Sequence, residues 1–584
     1  MSRRPGPAKR ASRREPAPAE PRRAAGAAAA CAALLVFLVV ALFVYRGALD
    51  GPFVSDDVPY LTANRHVQGL NRENLISILD PSGPVVPLAA NYSPVHMLLH
   101  AVEWHFFETR VRGYHLVNVV LHAFVSWLLV LLFLRSRIPP AAAALGGAFF
   151  LLHPANVEAV AWITQLKTTS AMVLALGALL AHPRRPVLGA LLFALAILAK
   201  PLAAFALPMA ALLDWTRDGR VRWPWLSIWA AALAGLAAVE VGAFRDYGLE
   251  SRSLDPDPLV WGRTIVALAM RYLVMAATSY GVSTFQELPR ARSWLDPWWL
   301  AGLASLALLG WRTVWALWRR REEAAYWVGA AASFAPVCQL FRFDFAMADR
   351  YLYMILPGLL GASLLAGAEA WGRVLGAASA RAAGTVESRR AALARLALPL
   401  ALLLVVAFGV RSAQRAALWR SAGLLNADAA AHHPEGRQAH LTRARAAARA
   451  GDLDGVAAGL RGATAAGYDH LHLLVYEPLF ANARSHPGVD AAIRELAWTW
   501  IGLLERKEEP NQADLNMLAV AHEALGDLGE AVRVLERALE VGGTESELIR
   551  IHLARVRNEL GRSGRRPRGK QPTPSPVPRG DSSP

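Results

Sequence analysis

Residues 114–134 read YHLVNVVLHAFVSWLLVLLFL, a run without a single Asp, Glu, Lys or Arg. A helix needs about 20 apolar residues to cross the hydrocarbon core of a bilayer, and this run meets that length. It also carries His115, Asn118 and His122. Polar groups inside a membrane are costly unless they are paired or line a watery cavity. Asn118 and His122 are four apart and share one helical face, which suits interhelical hydrogen bonding as well as a pocket.

Similar runs lie at residues 26–45, 226–239 and 397–410. The whole composition agrees, with 54% hydrophobic and 18% charged residues in 584, a balance that few soluble proteins of this size show. The net charge of +16 comes from short arginine blocks between apolar runs. Such blocks orient a membrane protein, so nucleic-acid binding is not expected. Cys31 and Cys338 each sit in an apolar run, with neither disulfide nor metal-ligand spacing. The first run follows eight Lys or Arg residues and no clear cleavage site follows it, so it reads as a retained span with a cytoplasmic basic tail, residues 1–24.

The arginine blocks set the topology. Walking outward from the tail, residues 47–113 form the first external loop. Spans follow at residues 114–134, 141–152, 168–181, 187–199, 201–213 and 223–239, with internal turns at Arg135, Arg184 and Arg217. Parity then permits one return before Arg319. Residues 297–318 take it, and residues 259–278, which carry Arg263 and Arg271, read as interfacial or re-entrant. Spans at 324–340, 351–368 and 397–410 complete about eleven crossings and a membrane domain of residues 25–410. Residues 411–562 are then non-cytoplasmic.

In that last region helical periodicity takes over. Residues 512–545 fit a 34-residue helix-turn-helix repeat, with Leu515, Leu518, Ala519 and His522 in its first helix, Gly526 at the turn, and Ala531, Leu535 and Ala538 in its second. This resembles a tetratricopeptide repeat, and residues 437–470 look like a weaker copy. Neighbouring repeats must stack to bury their faces, so a solenoid that could hold a peptide or partner is expected; a plain spacer bundle is the alternative. Residues 563–584 read as a disordered tail.

Chemistry has few places to sit. Asp56 and Asp57 follow the first span by about ten residues. An adjacent pair of this kind can be a solvated turn, a metal site, or a general base with a positioning partner. Lys167 and Lys200 fall at outward helix ends, against the positive-inside trend, where they can snorkel or bind a phosphate. Asp349 and Arg350 open a span beside Tyr351 and Tyr353. His153 and Glu158 lie between two spans, and Asn91 and Tyr92 lie in the first loop.

Five of these stretches together resemble the transmembrane and tetratricopeptide-repeat O-mannosyltransferases. They are FVSDDVPYLTANRHV, GYHLVNVVLHA, HPANVEAVAWITQLK, LAKPLAAFALPMAALLDW and ADRYLYMILPG, in that order. With the repeats, the resemblance covers roughly residues 50 to 545. It implies an all-α protein: a polytopic transmembrane bundle of the C-type glycosyltransferase fold with a C-terminal tetratricopeptide-like solenoid. It implies transfer of mannose or another hexose from a polyprenyl phosphate carrier to Ser or Thr of an exported protein, with inversion and without a metal or other cofactor. Asp56 or Asp57 would be the base, and Lys167, Lys200 and Arg350 would hold the donor phosphate. Asn91, Tyr92, His115, Asn118, His122, His153, Glu158, Tyr351 and Tyr353 would shape the pocket. The alanine- and arginine-rich composition suggests a bacterial inner membrane, with the repeats in the periplasm. A membrane-anchored repeat scaffold without activity, or transfer to an envelope glycan or lipid, are the competing readings.

Overall fold

A computed structural model describes residues 20–89, 91–245, 257–340, 345–379, 385–507, 509–542 and 545–563. Apart from their inner edges, both expected terminal tails fall outside these. The described residues are all-helical, with no strand. Seven helices among them are long and apolar enough to cross a membrane: Val111–Arg135, Ile163–Ala181, Trp223–Gly242, Pro258–Thr278, Pro297–Trp318, Asp349–Ala370 and Leu398–Leu418. Cys31–Tyr45, Pro140–Leu151 and Pro186–Ala199 are shorter apolar helices.

In chain order, α1 is Glu20–Tyr45, and three helices follow within the first loop: α2 Arg72–Leu79, α3 Val85–Ala89 and α4 Pro94–Phe107. Next come α5 Val111–Arg135, α6 Pro140–Leu151, α7 Asn156–Ala161, α8 Leu166–Ala181, α9 Pro186–Ala199 and α10 Ala206–Asp218. Proline at the first turn of α4, α6 and α9 starts each helix where its missing N–H costs nothing. The remaining helices of this part are α11 Trp223–Arg245, α12 Pro258–Thr278, α13 Pro297–Trp318, α14 Glu323–Phe334, α15 Asp349–Ser379 and α16 Thr385–Leu418. Asp257 and Asp296 cap α12 and α13 by accepting hydrogen bonds from Leu259 N and from Trp298 N and Trp299 N.

The bundle has two chemically distinct ends. Asp56, α7, Lys167, Lys200 and the start of α15 gather at one. Arg135, Arg217, Arg222 and the α13–α14 turn gather at the other, where Arg217 pairs with Glu322. One continuous apolar core joins them, running from Phe37 and Ala41 through α5, α8, α9 and α10 to α15. The contacts of α12 stay at the Asp56 end along its length. Trp261 near its start donates to Gln339 O, Tyr272 donates to Ala348 O, and Ser279 at its end accepts from Arg411.

The element boundaries differ from the sequence reading in several places. Residues 201–213 are a 3-10 turn, Pro201–Phe205, followed by α10, and the helices expected to end at 239 and 368 run on to Arg245 and Ser379. Three further differences have a visible cause. Residues 47–113 are not an open loop, because α2 to α4 pack over a small core of Tyr60, Leu61, Val67 and Tyr114. Of residues 324–340, only α14 and a single 3-10 turn at Ala335–Val337 are helical, since Pro336 cannot donate to continue the ladder. The helix expected to end at residue 410 runs on to Leu418, where Gly47 and Gly51 let the exit of α1 approach Ala417 and Trp419.

Past α16 come α17 Ala422–His432, α18 Arg437–Ala450, α19 Leu453–Ala465, α20 Leu471–Tyr476, α21 Pro478–Ala483, α22 Pro487–Leu504, α23 Gln512–Leu525, α24 Leu528–Val541 and α25 Ser546–Ser563. Leu425 of α17 packs into the first core, and α18 to α25 build a second one. The pairs α18–α19 and α23–α24 occupy the two repeat windows. Leu515, Ala519, Ala531, Leu535 and Ala538 are fully buried, and Gly526 turns the chain at φ +82°. This arrangement is consistent with a tetratricopeptide-like solenoid.

Candidate active site

The first loop is latched from below by α5. Asn118 donates to the carbonyls of Trp162 and Ile163, both at 3.1 Å, and accepts from Thr169 Oγ1. That fixes the turn before α8. The turn in turn holds Asp57, whose Oδ1 accepts from Thr164 N and whose Oδ2 accepts from Val54 N, both at 2.9 Å. His115 meets the carbonyl of Gly51 at 3.1 Å and anchors the entrance of the same loop. Asp57 is 1% exposed, and burial pushes its carboxyl up to about 7 despite the two backbone donors.

Asp56 is in the opposite situation. It is partly exposed, and among the described residues its carboxylate accepts a side-chain hydrogen bond only from Ser55 Oγ, at 3.4 Å. Ser55 adopts φ 52°, a left-handed conformation that non-glycine residues seldom take, and a single π turn at Val58–Thr62 follows. The Asp56 carboxylate acts electrostatically on Tyr60, Lys167 and Arg350.

The cations surround it from three helices. Lys167 Nζ lies 4.9 Å over the Tyr60 ring, and the Tyr60 hydroxyl donates to Ala89 O at 2.6 Å. Arg350 is gripped by Glu158, which takes both its guanidinium and, at 2.8 Å, its backbone N–H. The Arg350 guanidinium also lies 5.2 Å from the Trp162 ring, 4.9 Å from Phe345 and 5.1 Å from Tyr351. Lys200 is buried deeper and donates to Thr168 Oγ1 at 2.7 Å. It lies within electrostatic reach of Lys167, Arg350 and Glu158. Glu158 therefore orients a cation, and the cluster keeps positive charge near Asp56.

Other residues singled out from the sequence sit apart from this cluster. His122 bridges Tyr353 and the Leu151 carbonyl, at 2.9 and 3.0 Å, inside the core. His153 is fully buried between the Ala276 carbonyl and Ala155 N. Asn91 accepts from Ser93, while Tyr92 binds Leu79 O and Glu240 at the edge of the first loop.

Helix α4 brings three residues that the sequence reading passed over: His96, His100 and Glu103. All are buried. His100 Nδ1 meets Glu103 Oε2 at 2.7 Å, and the His96 and His100 rings are 4.5 Å apart. His96 faces Tyr60 at 5.9 Å and feels Lys167, Lys200 and the Thr164 backbone, yet among the described residues neither of its nitrogens makes a well-formed hydrogen bond. Burial holds the His96 imidazole well below its ordinary range, brings His100 down to about 3, and raises Glu103 well above the usual carboxylate range. The signal was present in sequence: positions 96, 100 and 103 repeat at i, i+4 and i+7 along one face of an apolar helix.

No family model matches the chain. It is similar to the Protein O-mannosyl-transferase Tmtc1 of Drosophila melanogaster, 32% identical over 187 residues, which cover 30% of this chain and 22% of that protein. It is also similar to the Protein O-mannosyl-transferase F38B6.6 of Caenorhabditis elegans, 27% identical over 192 residues, or 31% of this chain and 28% of that protein. The chain thus spans about a quarter of the length of these curated relatives.

Proposed function

We propose that this chain is a membrane glycosyltransferase. It moves mannose or another hexose from a polyprenyl phosphate carrier to a Ser or Thr hydroxyl of an exported protein, with inversion at the anomeric carbon. One observation carries the reading: Asp56 is a partly exposed carboxylate, unused by the backbone, beside Lys167 and Arg350 at one end of a membrane bundle. The similarity to two proteins named O-mannosyl-transferases points the same way.

A hydroxyl is a weak nucleophile at neutral pH, so a positioned base is needed as it attacks. Asp56 removes the hydroxyl proton while the acceptor oxygen bonds to the anomeric carbon from the face opposite the phosphate. The bond from that carbon to the phosphate oxygen breaks, and its electron pair leaves with the lipid phosphate. Lys167 and Arg350 hold the phosphate and stabilise the charge that grows on it. Glu158 fixes the guanidinium so that little reorganisation is required. Asp57 supports the loop, and the repeat domain, on the same end as Asp56, offers a platform for the acceptor.

The test is transfer from polyprenyl phosphate mannose to a Ser/Thr peptide by purified protein, read by mass spectrometry. Asp56→Asn is expected to lower the rate by about 10²- to 10⁴-fold, the usual contribution of a general base, with an unchanged melting temperature. Wild-type rates from that variant would overturn the mechanism.

A further inference from the structure

The opposite end of the bundle holds a second cluster that the transfer reaction does not use. Helix α5 runs from His115 at the Asp56 end to Arg135, about 20 residues and so about 30 Å away. Around Arg135 lies a cavity of about 350 Å³. A water occupies about 30 Å³ in the liquid, so the space admits a group far larger than one or two waters.

Five arginines line this cavity, Arg135, Arg137, Arg184, Arg217 and Arg222, facing three carboxylates. The carboxylates are already engaged. Asp214 and Asp218 both pair with Arg222, and Glu322 pairs with Arg217. Among the described residues Arg135 has only the Leu180 carbonyl as a hydrogen-bond partner, and it sits within range of the positive charges of Arg184, Arg217 and Arg222. Arg137 and Arg184 make no side-chain hydrogen bond or ion pair among the described residues.

A buried donor also lacks a partner among the described residues. His182, 2% exposed, meets Asp214 through Nε2 at 3.0 Å and so helps to hold that carboxylate in place. Arg217 donates to Ser136 Oγ and Glu322, and its buried Nε has no acceptor. Arg135 and Arg217 therefore keep spare N–H donors on the wall of a cavity whose carboxylates are already engaged, and Arg137 and Arg184 add two exposed guanidinium groups at its edge.

We propose that this cavity binds a phosphate group, carried either by the headgroup of an anionic lipid or by a soluble phosphate compound. Planar guanidinium forks match phosphate oxygens, and an anion relieves the crowding of like charges around Arg135. Basic pockets between membrane helices hold lipid headgroups on the same physical grounds. The site lies too far from Asp56 to share a ligand with it.

The full chain in nanodiscs of zwitterionic phosphatidylcholine tests this, with inorganic pyrophosphate as the soluble probe and phosphatidylglycerol, added to the bilayer, as the lipid probe. The readouts are the melting temperature and the retained ligand by native mass spectrometry. At least one probe is expected to stabilise the wild type, with binding weakened at least tenfold in the double variant Arg137→Gln/Arg184→Gln. Both substituted side chains are exposed and without partners among the described residues, so that variant keeps its fold. A response to phosphatidylglycerol alone identifies a lipid headgroup, and a response to pyrophosphate in the zwitterionic bilayer identifies a soluble ligand. Lys167→Gln is expected to keep the effect, which separates this site from the one around Asp56. The proposal is overturned if neither probe stabilises the wild type, if the double variant responds equally, or if Lys167→Gln alone abolishes the response.

Discussion

The carboxylate of Asp57 satisfies two backbone N–H groups, that of Val54 in half-buried and that of Thr164 in buried surroundings. Asp57→Ala strands both donors, at about 1–3 kcal/mol each, so a fall in melting temperature with loss of activity is expected. Asp56→Ala removes activity with little change in melting temperature, because nothing in the backbone depends on it. A melting temperature that fell equally in both would contradict this division of labour. His96 gives a second test, through pH. Its folded proton affinity is well below that of an ordinary histidine, so the unfolded chain takes up a proton near pH 6.5 that the folded chain refuses. The stability it contributes is therefore present above about pH 6.5 and lost as pH falls, by about 1.4 kcal/mol per unit while that proton difference lasts. Asp57, raised to about 7, works in the opposite direction between about pH 4 and 7, so the wild-type profile alone mixes the two. The stability difference between wild type and His96→Gln isolates the histidine, and is expected to shrink from pH 7 to pH 5. A difference that stays flat would mean that His96 is protonated in the fold.

Elements were more legible in the sequence than the roles of residues. Apolar runs give away membrane helices because length and the absence of charge are local properties, and proline or aspartate at their starts is local too. Thus α5, α13 and α15 fall close to where the sequence puts them. Helix α4 escaped because a stretch read as an external loop makes polar residues unremarkable, and only its burial under α2 and against α9 changes their meaning. The partner of Arg350 could not be read either, since Glu158 is 192 positions away. Close packing between helices is equally hidden. Gly358 on α15 lets α14 approach so closely that an added Cβ would lie 2.6 Å from Ala330 N and 2.7 Å from Tyr326 O. Those are backbone atoms, which cannot swing aside. Gly358→Ala should therefore push the two helices apart and destabilise the bundle by about 1–3 kcal/mol, the range for overpacked cores. Thermal unfolding checks it. Gly367→Ala, on the same helix with nothing near its added Cβ, is the matched control and should be neutral or slightly stabilising.

At the scale of the molecule, the two cores are joined through the residue next to the site. Asp349 precedes Arg350, and its carboxylate accepts from Ser283 N at 3.1 Å and Gln286 Nε2 at 2.6 Å, with Arg415 at 3.9 Å. Arg415 also pairs with Asp428 on α17, and Asp428 accepts from Thr284 N. Thr284 Oγ1 then donates to the Leu425 carbonyl at 2.7 Å, and Glu287 faces Arg437 on α18. These groups are largely buried, so breaking one pair leaves a charge without its partner, which costs far more than a surface pair is worth. A second bridge, Arg65 to Glu547 at 3.1 Å, ties the first loop to the last helix, but its side chains are 70% and 56% exposed. Exposed pairs contribute about 0–1 kcal/mol and are screened by salt. The two links should therefore fail differently. Asp428→Ala is expected to raise hydrogen exchange in residues 281–288 and in α17 together, and to slow transfer to peptide acceptors, since the loop that steadies Asp349 also sets Arg350. Glu547→Ala should leave both exchange and melting temperature within error at physiological salt. If Asp428→Ala left the exchange of residues 281–288 unchanged, the buried charges around Asp428 would not be what couples the repeat domain to the loop beside Asp349.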